Sequence, residues 1–137
     1  MLLHALVTVP GTWAENSRSR KTMIDPCPNT PNCVSSLAPQ GPRRMAPIPY
    51  QGSLEASRKR LIGIIGKTPH ASVVQSTATY VKVEFRSKIF SFIDDVEFEF
   101  HDGSKLIHFR SASRSGYYDF GVNRRRMEAI SREFASE

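Results

Sequence analysis

The chain has 137 residues and a mass of 15.4 kDa, enough for one domain with a modest core and too little for two. Hydrophobic residues make up 39% and charged residues 23%, which excludes both an acidic disordered chain and a membrane-embedded one. The net charge of +6 permits contact with phosphate or an anionic surface without demanding it, because residues 51–137 mix fourteen basic with eleven acidic side chains.

Residues 1–24 read as a disordered tail or a weak export segment. Leu2–Val9 is the longest apolar run and is too short to span a bilayer. No Lys or Arg precedes it, as the start of a signal peptide requires. Cys27 follows Ile24, Asp25 and Pro26 rather than the small residues of a lipobox. Residues 25–136 read as one α+β unit, with an extended arm over 25–50 and a core over 51–136. Seven of the nine prolines lie between Pro26 and Pro49, and twelve of the thirteen aromatics lie at Tyr50 or later. Proline removes amide donors and restricts the residue before it, so the arm should be extended loop.

The core is expected to run helix, four-stranded antiparallel sheet, helix. Ser53 can cap a first helix over Ser53–Thr68, where Leu54, Leu61, Ile62 and Ile65 share a face and Gly66 and Pro69 supply the stop. Four strands follow at Ser72–Ser76, Tyr80–Arg86, Asp95–His101 and Lys105–Ser111, three of them with alternating apolar and polar residues. Asp102-Gly103 is a strong hairpin signal. A two-residue turn there sets Phe98 opposite Ile107 and Val96 opposite Phe109 on the core side. On the other side it sets Glu97 opposite His108 and Asp95 opposite Arg110 as structural charge pairs. That polar side reads either as a wet face or as a floor for an anionic or zwitterionic ligand. A second helix over Gly121–Ser136 carries Val122 or Asn123, Met127, Ile130 and Phe134 as its apolar stripe, with both helices on the Val81, Phe98, Ile107 face.

Two segments stand apart from this patterning. Cys27-Pro-Asn-Thr-Pro-Asn-Cys33 offers a small structural disulfide in an oxidising compartment or two thiols in a reducing one. Metal binding would need two more ligands, and His4 and His70 are remote, so no metal and no cofactor are expected. Phe109–Asn123 gathers arginines, hydroxyls and Gly116 ahead of a helix N-terminus, the ingredients of an anion site. Arg110, Ser111, Ser113, Arg114, Tyr117, Asp119, Asn123 and Arg124 are the candidate ligand contacts. The competing reading has Arg110 and Arg114 pinning the loop through Asp94, Asp95 or Asp119. No catalytic set can be assembled. Tyr117 and Tyr118 lack the basic stripe that nucleic-acid binding requires. As the two least generic segments, the CPNTPNC and RSASRSG loops are expected to lie together.

Together CPNTPNCVSS at Cys27–Ser36, MAPIPY at Met45–Tyr50, EFRS at Glu84–Ser87, FIDDVEF at Phe92–Phe98 and RSASRSGYYDFGVNRRR at Arg110–Arg126 carry a resemblance. The chain resembles an uncharacterised, largely bacterial family, the domain of unknown function 1499. The resemblance implies a small exported or membrane-tethered protein in the periplasm or cell envelope. The chain's weak leader departs from that pattern and leaves the cytoplasm as the alternative. The family supplies no catalytic residues. The expected function is a non-enzymatic binding or accessory module for an anionic small molecule or an envelope protein. A purely structural or protein-interaction domain is the alternative, and an enzyme with an unrecognised site stands third.

Overall fold

The computed structural model describes residues 21–88 and 90–136. The reading of residues 1–24 therefore falls almost wholly outside the described residues. In chain order the elements are β1 (Cys33–Ser35), β2 (Ile48–Pro49), α1 (Leu54–Gly66), β3 (Ala71–Ser76), β4 (Tyr80–Arg86), β5 (Ile93–His101), β6 (Leu106–Ser113) and α2 (Val122–Ser136). Among the described residues the fold is α+β, with two helices and one antiparallel sheet in the order β1-β6-β5-β4-β3, while β2 also pairs with β6.

The sheet has six strands where the sequence suggests four. The additional two come from the arm. Residues 33–35 are a proline-free Cys-Val-Ser that pairs with Arg110–Ala112, and Ile48–Pro49 pairs with Ile107 and Leu106 further along the same edge. A strand of two or three residues is too short to carry a period, and proline is tolerated at an edge. The arm is thus partly incorporated into the sheet.

Local chemistry explains the helix starts. The Ser53 hydroxyl accepts a hydrogen bond from the Ala56 N–H at 3.1 Å, filling one orphan donor of the first turn of α1. At α2 the Asp119 carboxylate accepts from the Gly121 and Asn123 N–H groups at 2.9 and 3.0 Å. Leu61, Ile64 and Ile65 of α1 and Met127, Ile130 and Phe134 of α2 pack with Val81, Val83, Val96, Phe98, Ile107 and Phe109 of the sheet. Each such fully buried side chain contributes about 1.5–3 kcal/mol.

The hairpin register differs from expectation by two residues. His101 pairs with Leu106 rather than Ser104, so Phe98 lies opposite Phe109 and Val96 opposite Ser111. The loop is wider because its side chains hold it open. The Asp102 carboxylate accepts from the Lys105 ammonium at 2.7 Å and from the Tyr50 hydroxyl at 2.8 Å, and Lys105 adopts φ 56°. A shift of two preserves the inward and outward sets, so the core survives. The charge pairs change. Arg110 lies opposite Glu97 and His108 opposite Glu99, while Asp95 lies opposite Ala112; the pairs Asp95–Arg110 and Glu97–His108 do not form.

The second sheet face is not an open floor. Glu97 and Glu99 are only 3% and 7% exposed. The arm lies over them: the Thr22 hydroxyl and the Met23 N–H donate to Glu99 at 2.9 and 2.6 Å, and Arg110 donates to the Pro26 carbonyl at 3.3 Å.

Candidate functional site

The arginines singled out in the sequence are held by carboxylates. Arg110 Nε donates to Glu97 at 2.8 Å, and the other Glu97 oxygen accepts from the buried Tyr80 hydroxyl at 2.7 Å. Burial, followed by the bond to Glu97, pushes the Tyr80 hydroxyl well above the ordinary tyrosine range. Arg114 donates from Nε and Nη2 to both oxygens of Asp95, at 3.0 and 2.7 Å, and from Nη2 to Glu84 at 3.0 Å. The Arg114 bond holds the Asp95 carboxyl below its usual value despite partial burial. The Arg124 guanidinium donates to the Pro42 carbonyl. Tyr117 is exposed.

Ser111, Ser113, Asp119 and Asn123 converge on one network. Asn123 is fully buried. Its Oδ1 accepts from the Ser111 hydroxyl at 2.7 Å and from Arg126 at 2.8 Å. Its amide group donates to Asp119 at 2.9 Å, to Ser113 Oγ at 3.0 Å and to the Asn32 carbonyl at 3.2 Å. Asn32 belongs to the loop closed by the Cys27–Cys33 disulfide. Its side chain donates to the Gly116 carbonyl at 2.7 Å, and its own carbonyl accepts the Ser113 N–H at 3.0 Å. The CPNTPNC and RSASRSG loops therefore lie side by side.

Asn123 and Arg126 carry this network to a cleft at the same end of the sheet. Arg126 donates to Asp94 at 2.7 Å and stacks on Phe85, its guanidinium carbon 4.5 Å from the ring centre. The Asp94 carboxylate forms part of the cleft lining. The β4–β5 connection and the β6–α2 connection form the walls. Phe90 and Phe92 stand on one wall with ring centres 5.6 Å apart, and Tyr118 and Phe120 on the other, edge to face at 5.0 Å. The cleft encloses about 490 Å³. Its walls are joined through the backbone by the Arg114 N–H on the Ile93 carbonyl at 2.9 Å.

Ser113, Gly116, Tyr118 and Asp119 of the arginine-rich segment and Asp94 line this cleft, whereas Tyr117 does not, and the sequence pattern marks neither Phe90, Phe92 nor Phe120 as its walls. Phe90 is 71% exposed and Phe120 is 76% exposed, and Phe92 and Tyr118 are also largely in solvent. The available signal was the aromatic content of two connections, Ser87–Phe92 and Gly116–Val122, which lie outside every alternating pattern. No strand or helix period calls these aromatics into the core, and four of them meet here.

A second cluster lies on the covered sheet face. The His101 and His108 rings are 4.6 Å apart, His101 Nε2 is 2.8 Å from Glu99, and the Ser36 hydroxyl is 3.0 Å from His108 Nδ1. Burial, with His101 and Arg44 nearby, holds the His108 imidazole below its ordinary pKa. Burial disfavours the Glu99 anion, but Met23, Thr22 and His101 outweigh it and hold the carboxyl below the usual range. Ser36 is buried and also accepts the Phe109 N–H at 2.9 Å, so it is a structural hydroxyl rather than an accessible nucleophile. Among the described residues, no group of three or more His, Cys, Asp or Glu is placed to hold a metal ion. No helix among them is long and apolar enough to cross a membrane.

Two comparisons bear on this geometry. No curated protein matches the chain. The family model described as protein of unknown function, DUF1499, matches residues 23–134, which include the disulfide loop, the whole sheet, α1, α2 as far as Phe134 and both walls of the cleft. The chain belongs to that family.

Proposed function

We propose that this DUF1499 protein is a non-enzymatic binding module whose contact surface is the aromatic cleft, and that the cleft takes an apolar group such as a ring or an acyl chain. The observation that carries this reading is the gathering of Phe90, Phe92, Tyr118 and Phe120 in solvent around a cleft of about 490 Å³. Small-molecule sites are commonly about 300–1,000 Å³, apolar, and equipped with a few fixed polar groups. Here the fixed polar group is the Asp94–Arg126 pair.

On this reading Arg110, Ser111, Ser113, Arg114, Asp119, Asn123 and Arg124 brace the fold and set the cleft walls. Their polar groups are engaged with Glu97, Asp95, Glu84, Asn32 and Pro42, which leaves them little capacity for an added anion. The Cys27–Cys33 disulfide supports an oxidising compartment such as the cell envelope.

The test is binding of an anilinonaphthalenesulfonate dye, whose fluorescence rises in apolar surroundings. The native full-length chain is expected to bind it. The double variant Phe92→Ser with Phe120→Asn should lose that signal while keeping its melting temperature. Retained binding in the variant would refute the cleft as the site.

A further inference from the structure

We infer that this end of the molecule docks on an anionic lipid bilayer, the rings of the two cleft walls entering the interfacial layer; the inference rests on the cleft being a binding surface and names its occupant. Three features point there. The first is the form of the patch. Phe90, Phe92, Tyr118 and Phe120 sit on two connections at one end of the sheet, each more than half exposed. A contiguous exposed apolar patch on a soluble fold marks an interaction site. Aromatic rings are the side chains that settle at the water–lipid boundary, and rings on separate loops can enter a fluid layer without the matched relief that a protein partner demands.

The second feature is charge. The connection bearing Phe90 and Phe92 is led by Arg86 and Lys88, both exposed and without an ion pair among the described residues. Arg125, also exposed, donates to the Phe120 carbonyl at 2.7 Å and so sits beside the other wall. The nearby carboxylates are already committed. Asp94 is paired with Arg126 at 2.7 Å, and Asp119 is bound by the Gly121 and Asn123 N–H groups. The rim therefore presents three cations around an aromatic centre, the complement of an anionic headgroup layer over acyl chains.

Strain adds a third indication. Phe120 holds φ 56°, a conformation costly for a bulky residue, while its side chain is largely in solvent and meets the Tyr118 ring edge to face. Neither core packing nor backbone preference accounts for a phenylalanine at that position, whereas insertion into lipid does.

The experiment is flotation of the full-length chain with vesicles of phosphatidylcholine alone or mixed with phosphatidylglycerol. The native chain should float with the mixed vesicles and be released by high salt. Arg86→Glu with Lys88→Glu should weaken binding by about fivefold or more for each cation lost. Phe90→Ser, Phe92→Ser and Phe120→Asn combined should abolish flotation even at low salt. These residues are exposed, so unchanged melting temperatures verify that each variant folds. Equal flotation of the aromatic variant and the native chain would overturn the proposal, because other segments would then carry the binding. Absence of native flotation while the dye still occupies the cleft would also overturn it, leaving a protein or a soluble apolar molecule as the occupant. Absence of both would refute the cleft itself.

Discussion

Phe120, Arg110 of β6 and Arg114 of the connection that follows separate function from bracing at the level of single residues. A residue in the left-handed region costs about 1–3 kcal/mol unless it is Gly or Asn. Phe120→Asn should therefore leave the melting temperature unchanged or raise it while weakening dye binding; a lower melting temperature would show that Phe120 is structural. Arg110 answers a buried Glu97. Arg110→Ala would strand that carboxylate and is expected to cost about 3 kcal/mol in a urea titration. Arg114 is 48% exposed, and water screens its pairs with Asp95 and Glu84, so Arg114→Ala should cost much less. Equal losses in the two variants would contradict this division. Asn123 makes five polar contacts with no exposure, and Asn123→Ala should destabilise by about 2–4 kcal/mol by the same titration, since several buried groups lose partners together.

Among the elements, the arm is the one whose role depends on a covalent link. The disulfide closes the loop that bears Asn32, and Asn32 ties the β6–α2 connection through Gly116 and Ser113. Replacing Cys27 and Cys33 by serine should cost about 2 kcal/mol from the freed loop. Hydrogen exchange should then accelerate at Ser113–Gly116 as well as at the cysteines; acceleration confined to the cysteines would mean that the two loops are uncoupled. The elements differ in how legible they were. The first helix was readable because Ser53 and the spacing of Leu61 and Ile65 agree, and β4 and β5 because their alternation is long. The core side of each strand was also readable, since a register error of two residues leaves it intact. The register itself was not, because Asp102, Lys105 and Tyr50 set the loop width and Tyr50 is 52 positions from Asp102. Edge strands of two and three residues carry no period. The stretch from Arg110 to the last helix, which is the end of β6 and the connection after it, was legible as a special segment from its arginines and hydroxyls. Its chemistry was not, because the carboxylates that occupy Arg110 and Arg114 come from β4 and β5.

For the molecule as a whole, the defining feature is a sheet covered on both faces: helices over the apolar side, the arm over a column of carboxylates. Asp95 and Glu99 are held below their ordinary values, and so is His108. In each case the protonated form is disfavoured in the fold, so the stabilisation is present above the unfolded pKa and is lost as pH falls through the folded value. Stability should thus decline on acidification, first below about pH 6.5 as His108 is forced to charge, then below about pH 4 as the carboxylates protonate. His108→Gln should flatten the upper part of that curve and leave the lower part; an unchanged curve would show that His108 is not responsible. This acid-sensitive cluster lies on the arm-covered face, whereas the cleft lies at the end of the sheet between two connections. The claim that matters most is that the cleft, and not the arginine loop, is the contact surface. Its most direct test is amide chemical-shift mapping of the labelled full-length chain on addition of the dye. Shifts concentrated at Ser87–Asp94 and Ser115–Val122 are the expected result. Shifts concentrated at Glu84, Asp95, Arg110 and Arg114, with the aromatic connections unmoved, would contradict it.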